Sequence, residues 1–435
     1  MNILYFIYRV ITSVIFVILI IPFMLFVIFS GKYRRHLLER FGFIPERSAK
    51  SLISGPKIWV HAVSLGEIRV ANSIISSLKG LVPGSSIILS TSTEHGRALA
   101  LELFGNDVPV IYSPIDFFPL VKNAINRIKP DILIFLETEI WPSWIIEAKK
   151  RNVKIAMLNG RISGRSIRGY RRVMPFFRMV LSRFDLMSMI GQGDRTRIIE
   201  MGARPETVSV NGNAKYDMLI RSTTQGMNEN IRRMLHIPPD APVIVAGSIR
   251  TGEEEIILEA YKKIIDAFQD TVLIIAPRHL ERIKELTELI SIKGLKYHLR
   301  SELLAPGGAR TEGIIIVDCF GELFNIYSAG NIAFCGASLV PLGGQNPLEP
   351  AAWGVPVFHG PHMEDFSDAM HLFKKYDADI EVQGAFDLAE KIIYYLNNRD
   401  LLSEKGRAAK DALMENSNVA EVQASLIKGL IEKKL

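Results

Sequence analysis

Cysteine is nearly missing from this chain, and its scarcity excludes whole classes of protein. The 435 residues hold two cysteines, Cys319 and Cys335, which are too few for a disulfide framework. Neither stands in a CxxC pair or a Cys/His cluster, so we expect two small buried hydrophobes and no structural zinc. An excess of charge is missing as well, because charged residues make up 23% and the net charge is +6. With 48% hydrophobic residues, this is the balance of a globular protein and excludes wholesale disorder.

Long continuous apolar runs are also missing, except for one near the N-terminus. Residues 10–29 read VITSVIFVILIIPFMLFVIF, and twenty residues in a helix match a hydrocarbon core of about 30 Å. A signal peptide is the competing interpretation, but Arg9 is the only basic residue before the run and several basic residues follow it. We therefore predict an uncleaved membrane anchor with its following side in the cytoplasm. Pro22 leaves open whether the anchor spans the membrane or is re-entrant.

Beyond the anchor, short apolar runs alternate with polar stretches that are compatible with helices. Seven runs extend from KIWVHAV to TVSVNG, and six more extend from PVIVAGS to VPVFHG. This pattern predicts an α/β protein with two doubly wound, Rossmann-like domains that face each other across a cleft, with ligands at the carboxyl ends of the strands. The predicted segments are the anchor 1–30, the first domain 31–222, a linker 223–230, the second domain 231–387, and helices 388–435 that pack back on the first domain.

Four charged residues stand out at strand ends of the first domain. Glu67 follows Gly66 at a strand-to-helix turn, where a carboxylate is either a helix-capping charge or a general base. Glu137 and Glu139 end the fourth run, and strand alternation would place both on one side, which is costly unless they are partnered or functional. Lys215 comes just before the linker, where it is either a solvated surface lysine or a functional cation.

The second domain carries signals for a bound phosphate and a nucleotide. Gly247-Ser248 follows a strand and can bring backbone amides near a phosphate, and Arg278 stands at the next strand end. Gly321 turns the chain into a helix whose N-terminus suits an anion. A glycine pair then precedes Glu349 and a Gly-x-Pro, a combination that resembles the nucleotide-binding signature of GT-B glycosyltransferases.

Taken in order, the motifs resemble the 3-deoxy-D-manno-octulosonic acid (Kdo) transferases of lipopolysaccharide biosynthesis over nearly the whole chain. The motifs are RRHLLERFGF, WVHAVSLGE, ETEIWP, NGRISGRS, GNAKYD, GS-x-x-x-GEE, APRH, FGEL, GGQNPLEP and GPHMEDF. The resemblance implies inverting transfer of Kdo from CMP-Kdo to the lipid A precursor, lipid IVA, at the cytoplasmic face of the inner membrane. It implies that Glu67 is the catalytic base and that Glu137 and Lys215 support the transition state.

The resemblance also implies a set of CMP-binding segments. Together with Ser248, the predicted donor-binding residues are Pro277, Arg278, Gly321, Glu322, Leu323, Asn346, Pro347, Leu348 and Glu349. Gln345 departs from the histidine that the family often has, which argues against a titratable role at this position. No Asp-x-Asp pair stands at a strand end, so we expect neither a metal nor a cofactor besides the donor substrate. Another GT-B sugar-nucleotide transferase, a sugar-nucleotide 2-epimerase, and a nucleotide-binding membrane scaffold without activity remain as alternatives.

Between residues 161 and 183 the chain holds seven arginines and no acid, with apolar residues interleaved. This pattern favours a segment that lies on an anionic membrane surface and receives the lipid acceptor. A helix with a solvated basic face and a core-facing apolar one is the alternative, and nucleic-acid binding fits less well because the anchor already holds the segment near lipid.

Overall fold

Both predicted series of strands form parallel sheets, each of seven strands, in the computed structural model of the chain. The structure describes residues 3–30, 36–50, 52, 55–162, 173–415 and 417–433. The chain divides into a first unit, Met1–Met218 with Asn418–Leu435, and a second unit, Leu219–Ser417. The predicted α/β class with two doubly wound parallel sheets and a long apolar N-terminal helix is confirmed.

In the first unit the strand order is β3-β2-β1-β4-β5-β6-β7, and all neighbours are parallel. The chain therefore runs outward from β1 to β3 and returns to β4 on the other side of β1. The strands are β1 (Lys57–His61), β2 (Ser86–Thr91), β3 (Val110–Tyr112), β4 (Ile132–Leu136), β5 (Lys154–Gly160), β6 (Leu186–Met189) and β7 (Val208–Val210).

Helices of the first unit lie on both faces of this sheet. They are α1 (Ile3–Ser30), α2 (Leu37–Arg40), α3 (Glu46–Lys50), α4 (Leu65–Leu81), α5 (Glu94–Phe104), α6 (Phe118–Ile128), α7 (Pro142–Lys149), α8 (Met174–Leu181), α9 (Gln192–Glu200), α10 (Ala214–Arg221) and, from the end of the chain, α20 (Val419–Glu432). Helix α1 continues through Pro22.

The second unit repeats the plan with a different strand order, β10-β11-β9-β8-β12-β13-β14. Here the chain leaves β8 on one side and returns to β12 on the other. The strands are β8 (Val243–Ile249), β9 (Val272–Pro277), β10 (Tyr297–Leu299), β11 (Ile314–Ile316), β12 (Ile332–Cys335), β13 (Val357–His359) and β14 (Ile380–Glu381).

The described residues of the second unit also form α-helices. They are α11 (Met227–Met234), α12 (Glu254–Ala267), α13 (Ile283–Ile292), α14 (Arg300–Leu303), α15 (Leu323–Tyr327), α16 (Leu348–Ala352), α17 (Ser367–Lys375), α18 (Ala385–Asn397) and α19 (Arg399–Met414).

Side-chain alternation along buried strands builds the core on both faces of each sheet. In β1, Ile58 and Val60 join the cluster under α4 and α20, whereas Trp59 joins the cluster on the opposite face. All of β4 is buried, as expected for a central parallel strand that helices cover on both sides. The two covered faces hold the strand ends rigidly, so they fix the loops in which the candidate site residues lie.

Two predictions about segments need correction, and one strand was missed. The second half of the predicted linker forms α11, because Ile231 is buried in the second core and fixes the segment as a helix. Residues 388–417 were expected on the first domain, but α18 and α19 belong to the second unit, where Leu388, Ile392 and Leu402 enter its core. Strand β14 was not predicted, because two residues are too few to show a pattern.

Candidate active site

Glu67 lies at the start of α4, directly after the central strand β1. Its carboxylate accepts hydrogen bonds from the backbone N–H of Val63 at 2.8 Å and of Ser64 at 3.3 Å, while the Ser64 hydroxyl accepts from the Glu67 N–H at 3.2 Å. This is a capping box, so the capping role left open by the sequence is present. Capping fixes the carboxylate in place and does not prevent it from accepting a proton.

Glu137 and Lys215 form an ion pair close to Glu67. The Lys215 Nζ lies 2.5 Å from the Glu137 Oε1, and the lysine side chain passes over Gly66, where an added Cβ would lie 3.8 Å from its Cε. The structure corrects the reasoning from strand alternation, because β4 ends at Leu136 and Glu137 has a left-handed φ of 54° in the turn beyond it. Lys215 likewise lies in the first turn of α10, not on a strand.

Electrostatic effects link the carboxylates of Glu67, Glu137 and Glu139. Burial raises the pKa of Glu67, and the nearby charge of Glu137 raises it further against the lowering effect of its hydrogen bonds. Burial also raises the pKa of Glu139, with contributions from Glu67 and Glu137, although Trp141 donates to its Oε2 at 2.5 Å. Three carboxylates and one ammonium group therefore share one end of the first sheet, beside the point where the chain reverses its direction across the sheet.

Residues that the sequence analysis did not single out position Lys215. Asn159, buried at the end of β5 with a φ of 56°, accepts from the Ala214 N–H at 2.8 Å, and Asn213 accepts from the Lys215 N–H at 3.0 Å. Asp217 accepts from the Ala420 N–H of α20 at 2.8 Å. The Asn-Gly pair at 159–160 was a detectable signal, since asparagine tolerates the left-handed conformation that this strand end adopts.

In the second unit, glycines let three strand ends approach closely. A Cβ at Gly247 would overlap the Tyr327 hydroxyl, one at Gly336 would lie 2.6 Å from the Ser248 carbonyl carbon, and one at Gly360 would overlap Ser338. Ser248 has a φ of 53° at an irregularity in the pairing of β8 with β9. The backbone at the ends of β8, β12 and β13 is therefore tightly packed around Ser248.

Glu253 is the main residue of this unit that the sequence analysis missed as a candidate. Its fully buried carboxylate accepts from the backbone N–H groups of Arg250 (2.9 Å), Ala337 (2.6 Å), Ser338 (2.9 Å) and Leu339 (3.0 Å). Burial raises its pKa while these four bonds lower it. Glu253 thereby joins the loop after β8 to the loop after β12. The run of three glutamates at 253–255 concealed which one is fully buried.

Arg278 follows β9 with an exposed side chain, and its backbone N–H donates to the Ile249 carbonyl at 3.1 Å. Pro277 is the last residue of β9. Beside them, the Arg250 guanidinium contacts the His279 ring at 2.8 Å. Arg278 is thus held by its backbone next to the loop after β8, while its guanidinium remains accessible to an anion.

The two remaining predicted segments flank α15 and α16. Gly321 has a φ of 87°, the Glu322 carboxylate pairs with Arg300, and Leu323 begins a helix of only five residues. The other segment is organised around Asn346, which accepts from the Leu348 N–H at 3.2 Å and donates to the Glu349 Oε1 at 3.1 Å, with Pro347 as the N-cap of α16. The Cys335 thiol donates to the Gln345 carbonyl at 3.1 Å.

The arginine-rich segment is described only from Val173 onward, and its residues 163–172 lie outside the described residues. The prediction that this segment lies on the membrane would put its apolar side chains among acyl chains. For Met179, Val180 and Leu181 of α8 this is wrong, because they are buried in the core of the first unit. Arg178 is exposed, and the Phe176 ring lies 5.1 Å from the Tyr8 ring of α1.

Two further expectations concern cysteine and metal. Cys335 is buried, which raises the pKa of its thiol to about 12, and Cys319 is partly buried. Within the described ranges, no three His, Cys, Asp or Glu side chains come together as ligands for a metal ion. The absence of a metal from the reaction stays a prediction.

Comparisons with known proteins agree on one family. Residues 35–218 match the family model of 3-deoxy-D-manno-octulosonic-acid transferase (kdotransferase). A probable mitochondrial 3-deoxy-D-manno-octulosonic acid transferase of Arabidopsis thaliana is 30% identical over 388 residues, which are 86% of this chain and 85% of that protein. The 3-deoxy-D-manno-octulosonic acid transferase of Haemophilus influenzae is 29% identical over 408 residues, 93% of this chain and 94% of that protein.

Solved structures extend the comparison to the fold alone. A glycosyltransferase from Rickettsia africae superposes with a TM-score of 0.59 at 18% identity, covering 87% of this chain and 99% of that one. The UDP-GlcNAc 2-epimerase from Neisseria meningitidis gives a TM-score of 0.62 at 11% identity, covering 85% of this chain and 99% of that one.

Proposed function

Because the chain belongs to the 3-deoxy-D-manno-octulosonic acid transferase family of lipopolysaccharide biosynthesis, we propose that this glycosyltransferase moves Kdo from CMP-Kdo to the lipid A precursor, lipid IVA, with inversion and with Glu67 as general base. The observation that carries the proposal is the group of Glu67, Glu137 and Lys215 at the end of the first sheet. A buried carboxylate whose pKa is raised by burial and by a neighbouring carboxylate is a stronger base than a solvated one.

The proposed reaction needs one proton transfer and one departing phosphate. Glu67 takes the proton from the acceptor hydroxyl as that oxygen forms a bond to the anomeric carbon of Kdo. The bond from that carbon to the phosphate oxygen of CMP breaks, and its electron pair leaves with the phosphate. Glu137 holds the Lys215 ammonium group at 2.5 Å, and the ammonium supports the negative charge that develops near the base and the acceptor oxygen.

Donor binding is proposed for the second unit. The accessible Arg278 guanidinium suits a bidentate contact with the CMP phosphate. The Asn346–Glu349 hydrogen bond holds a carboxylate at the first turn of α16, where it suits the ribose hydroxyls. The remaining proposed donor-binding residues are Ser248, Pro277, Gly321, Glu322, Leu323, Pro347 and Leu348. The reaction as proposed requires no cofactor.

The proposed location is the cytoplasmic face of the inner membrane. Helix α1 is long and apolar enough for membrane association. The contact of Phe176 with Tyr8 brings the described end of the arginine-rich segment next to α1. An anionic surface and a phosphorylated lipid acceptor suit arginines in that position.

The test is the mass of the product after incubation of the full chain with CMP-Kdo and lipid IVA in detergent. We expect the acceptor mass to increase by one or more Kdo units, with release of CMP. A parallel incubation with UDP-GlcNAc tests the 2-epimerase alternative, and a panel of other nucleotide sugars tests a different donor. If the chain binds CMP but changes no acceptor with any donor, the scaffold alternative replaces the proposal.

A further inference from the structure

Helix α1 has two faces that differ in what they contact. Along one face, side chains at intervals of three or four residues are buried or partly buried, and these are Tyr5, Tyr8, Thr12, Phe16, Ile20, Phe23 and Val27. This spacing is a single stripe along a helix. The other faces expose large apolar side chains from end to end, namely Ile3, Phe6, Ile7, Val10, Ile11, Val14, Ile15, Val17, Ile18, Leu19, Ile21, Leu25, Phe26, Ile28 and Phe29.

The start of the helix is bound to the first unit by polar contacts. The Tyr5 ring is 2% exposed and its hydroxyl donates to the Glu147 Oε1 at 3.1 Å. The Tyr8 hydroxyl donates to the Asp116 Oδ2 at 2.6 Å. Asp116 also accepts from the Ser143 N–H at 3.0 Å, so α1 is joined to the N-terminus of α7. These bonds would be lost if the N-terminal end of α1 lay on the far side of a membrane.

Contacts with the body continue along the helix. The Phe16 ring stacks on Phe117 at 4.3 Å between centroids. An apolar groove of about 490 Å³ lies between α1, from Thr12 to Phe23, and the body segment Ile115–Phe117. From Tyr5 to Phe23 the helix advances about 27 Å. A helix that crossed the bilayer would therefore carry this part of the body, including the partly buried Asp116, into the hydrocarbon core, which is costly.

The far end of α1 is also tied to the same body. Glu39 on α2 is buried and accepts from the Tyr112 N–H at 2.7 Å and from Arg97 at 3.0 Å. Six Cα steps separate Ser30 from His36, and they reach at most about 22 Å even when fully extended. This is less than the hydrocarbon thickness of about 30 Å. Both ends of α1 must therefore lie on the side of the membrane that holds the body.

We propose that α1 lies in the plane of one leaflet, with its tyrosine stripe on the first unit and its exposed face among the acyl chains. The partner of this exposed surface is the hydrocarbon layer of the bilayer, because the face is uncharged over 10–30 and too apolar for water. The exposed Ile115 side chain at the edge of the groove faces the same leaflet. The inference shares the membrane location with the proposed function, but it does not depend on which sugar is transferred.

Depth measurements distinguish an in-plane helix from a spanning one. Phe6, Val17 and Ile28 are all exposed and stand eleven residues apart, so they lie on nearly the same line of the helix. In the full chain with Cys319→Ser, each is changed to Cys, spin-labelled and reconstituted in liposomes of anionic and neutral phospholipid. Collision rates with oxygen and with a water-soluble nickel complex then give the depth of each label. We expect three similar, shallow depths within one leaflet.

A spanning helix would instead place Val17 at the bilayer centre and the two ends near opposite surfaces, which would overturn the proposal. Labels that meet the nickel complex freely at all three positions would overturn it as well. A second test uses Ile3→Cys and a membrane-impermeant maleimide on intact spheroplasts, with the exposed Glu404→Cys of the second unit as the matched control. We expect both cysteines to react only after lysis. Reaction of Ile3→Cys alone before lysis would mean that the helix crosses the membrane.

Discussion

The two sheets share a plan, but they use different chemical groups where the chain reverses direction. Between β1 and β4 the first unit presents side chains: Glu67, Glu137 and Lys215. Between β8 and β12 the second unit presents tightly packed backbone, in which glycines stand where side chains would obstruct the close approach. The carboxylate of the buried Glu253 accepts hydrogen bonds from main-chain amides there. Proton transfer requires titratable side chains, whereas close binding of a nucleotide requires a backbone without obstructing Cβ atoms.

Glu67→Gln tests the chemical half of this comparison and has the largest expected effect. Glutamine retains the shape and one acceptor oxygen, so it can still accept one of the two capping hydrogen bonds, but it cannot take a proton. Turnover should fall by roughly 10²–10⁴-fold, while calorimetry should give unchanged CMP affinity. Glu94→Gln is the matched control, since Glu94 is an exposed acid in the first turn of α5 after β2. Activity of Glu67→Gln within threefold of the unchanged chain would leave Glu67 with its capping role only.

Arg278→Ala and Glu349→Ala test the other half of this comparison, the binding of the nucleotide by the second unit. Loss of a charge-assisted phosphate contact at Arg278 costs about 1.5–3 kcal/mol, so CMP affinity should fall roughly 10–150-fold. Glu349→Ala should also lower the affinity for CMP, because the proposed contact of its carboxylate with the ribose hydroxyls is lost. Calorimetry measures both, with Lys284→Ala as the control, because Lys284 is an exposed cation of the same unit. Unchanged CMP affinity in both variants would contradict the proposed donor site.

Glu253→Ala tests whether the second site depends on its backbone. The change leaves four amide donors without their acceptor, of which those of Ala337 and Ser338 are buried, and an unsatisfied buried donor costs about 1–3 kcal/mol. We expect a lower melting temperature, weaker CMP binding and lost hydrogen-exchange protection at residues 337–339. Glu253→Gln should recover part of each effect because it keeps one acceptor oxygen. The exposed Glu255→Gln is the control. Normal protection at 337–339 in Glu253→Ala would show that the loop does not need the carboxylate.

Glu137→Gln gives the smallest effect, a shift in the pH profile. The charge of Glu137 raises the pKa of Glu67, and a base works only above its pKa. Removal of that charge should therefore lower the pKa of Glu67 and move the acid limb of kcat/KM to lower pH. The rate itself should also fall, so the position of the limb is the measurement. An acid limb that stays in place or moves to higher pH would show that the charge of Glu137 does not raise the pKa of the catalytic base.

The sequence was sufficient for the features that have strong local patterns. In the part of the chain that the structure describes, thirteen of the fourteen strands follow apolar runs that the alternation with polar stretches identified. The site residues that the sequence analysis identified lie beside glycine turns or beside a Trp-Pro pair. Asn159 and Glu253 were missed because their roles depend on amides that are 55 and 84–86 positions away in the chain. The placement of Glu137 in a left-handed turn was missed because nothing before it signals the end of β4.

The return of α20 to the first unit has a consequence for how the protein is made. Helix α4, which carries Glu67, buries Ile68, Ala71 and Ile75 in one cluster with Ala420 and Ala424 of α20. A ribosome synthesises α4 first and must complete the whole second unit before α20 emerges. During that interval the nascent first unit lacks the cover for one face of α4 and lacks the Ala420 amide that binds Asp217. Such an exposed apolar face is a binding site for chaperones, and the helix that bears the proposed base can settle only after synthesis is almost finished.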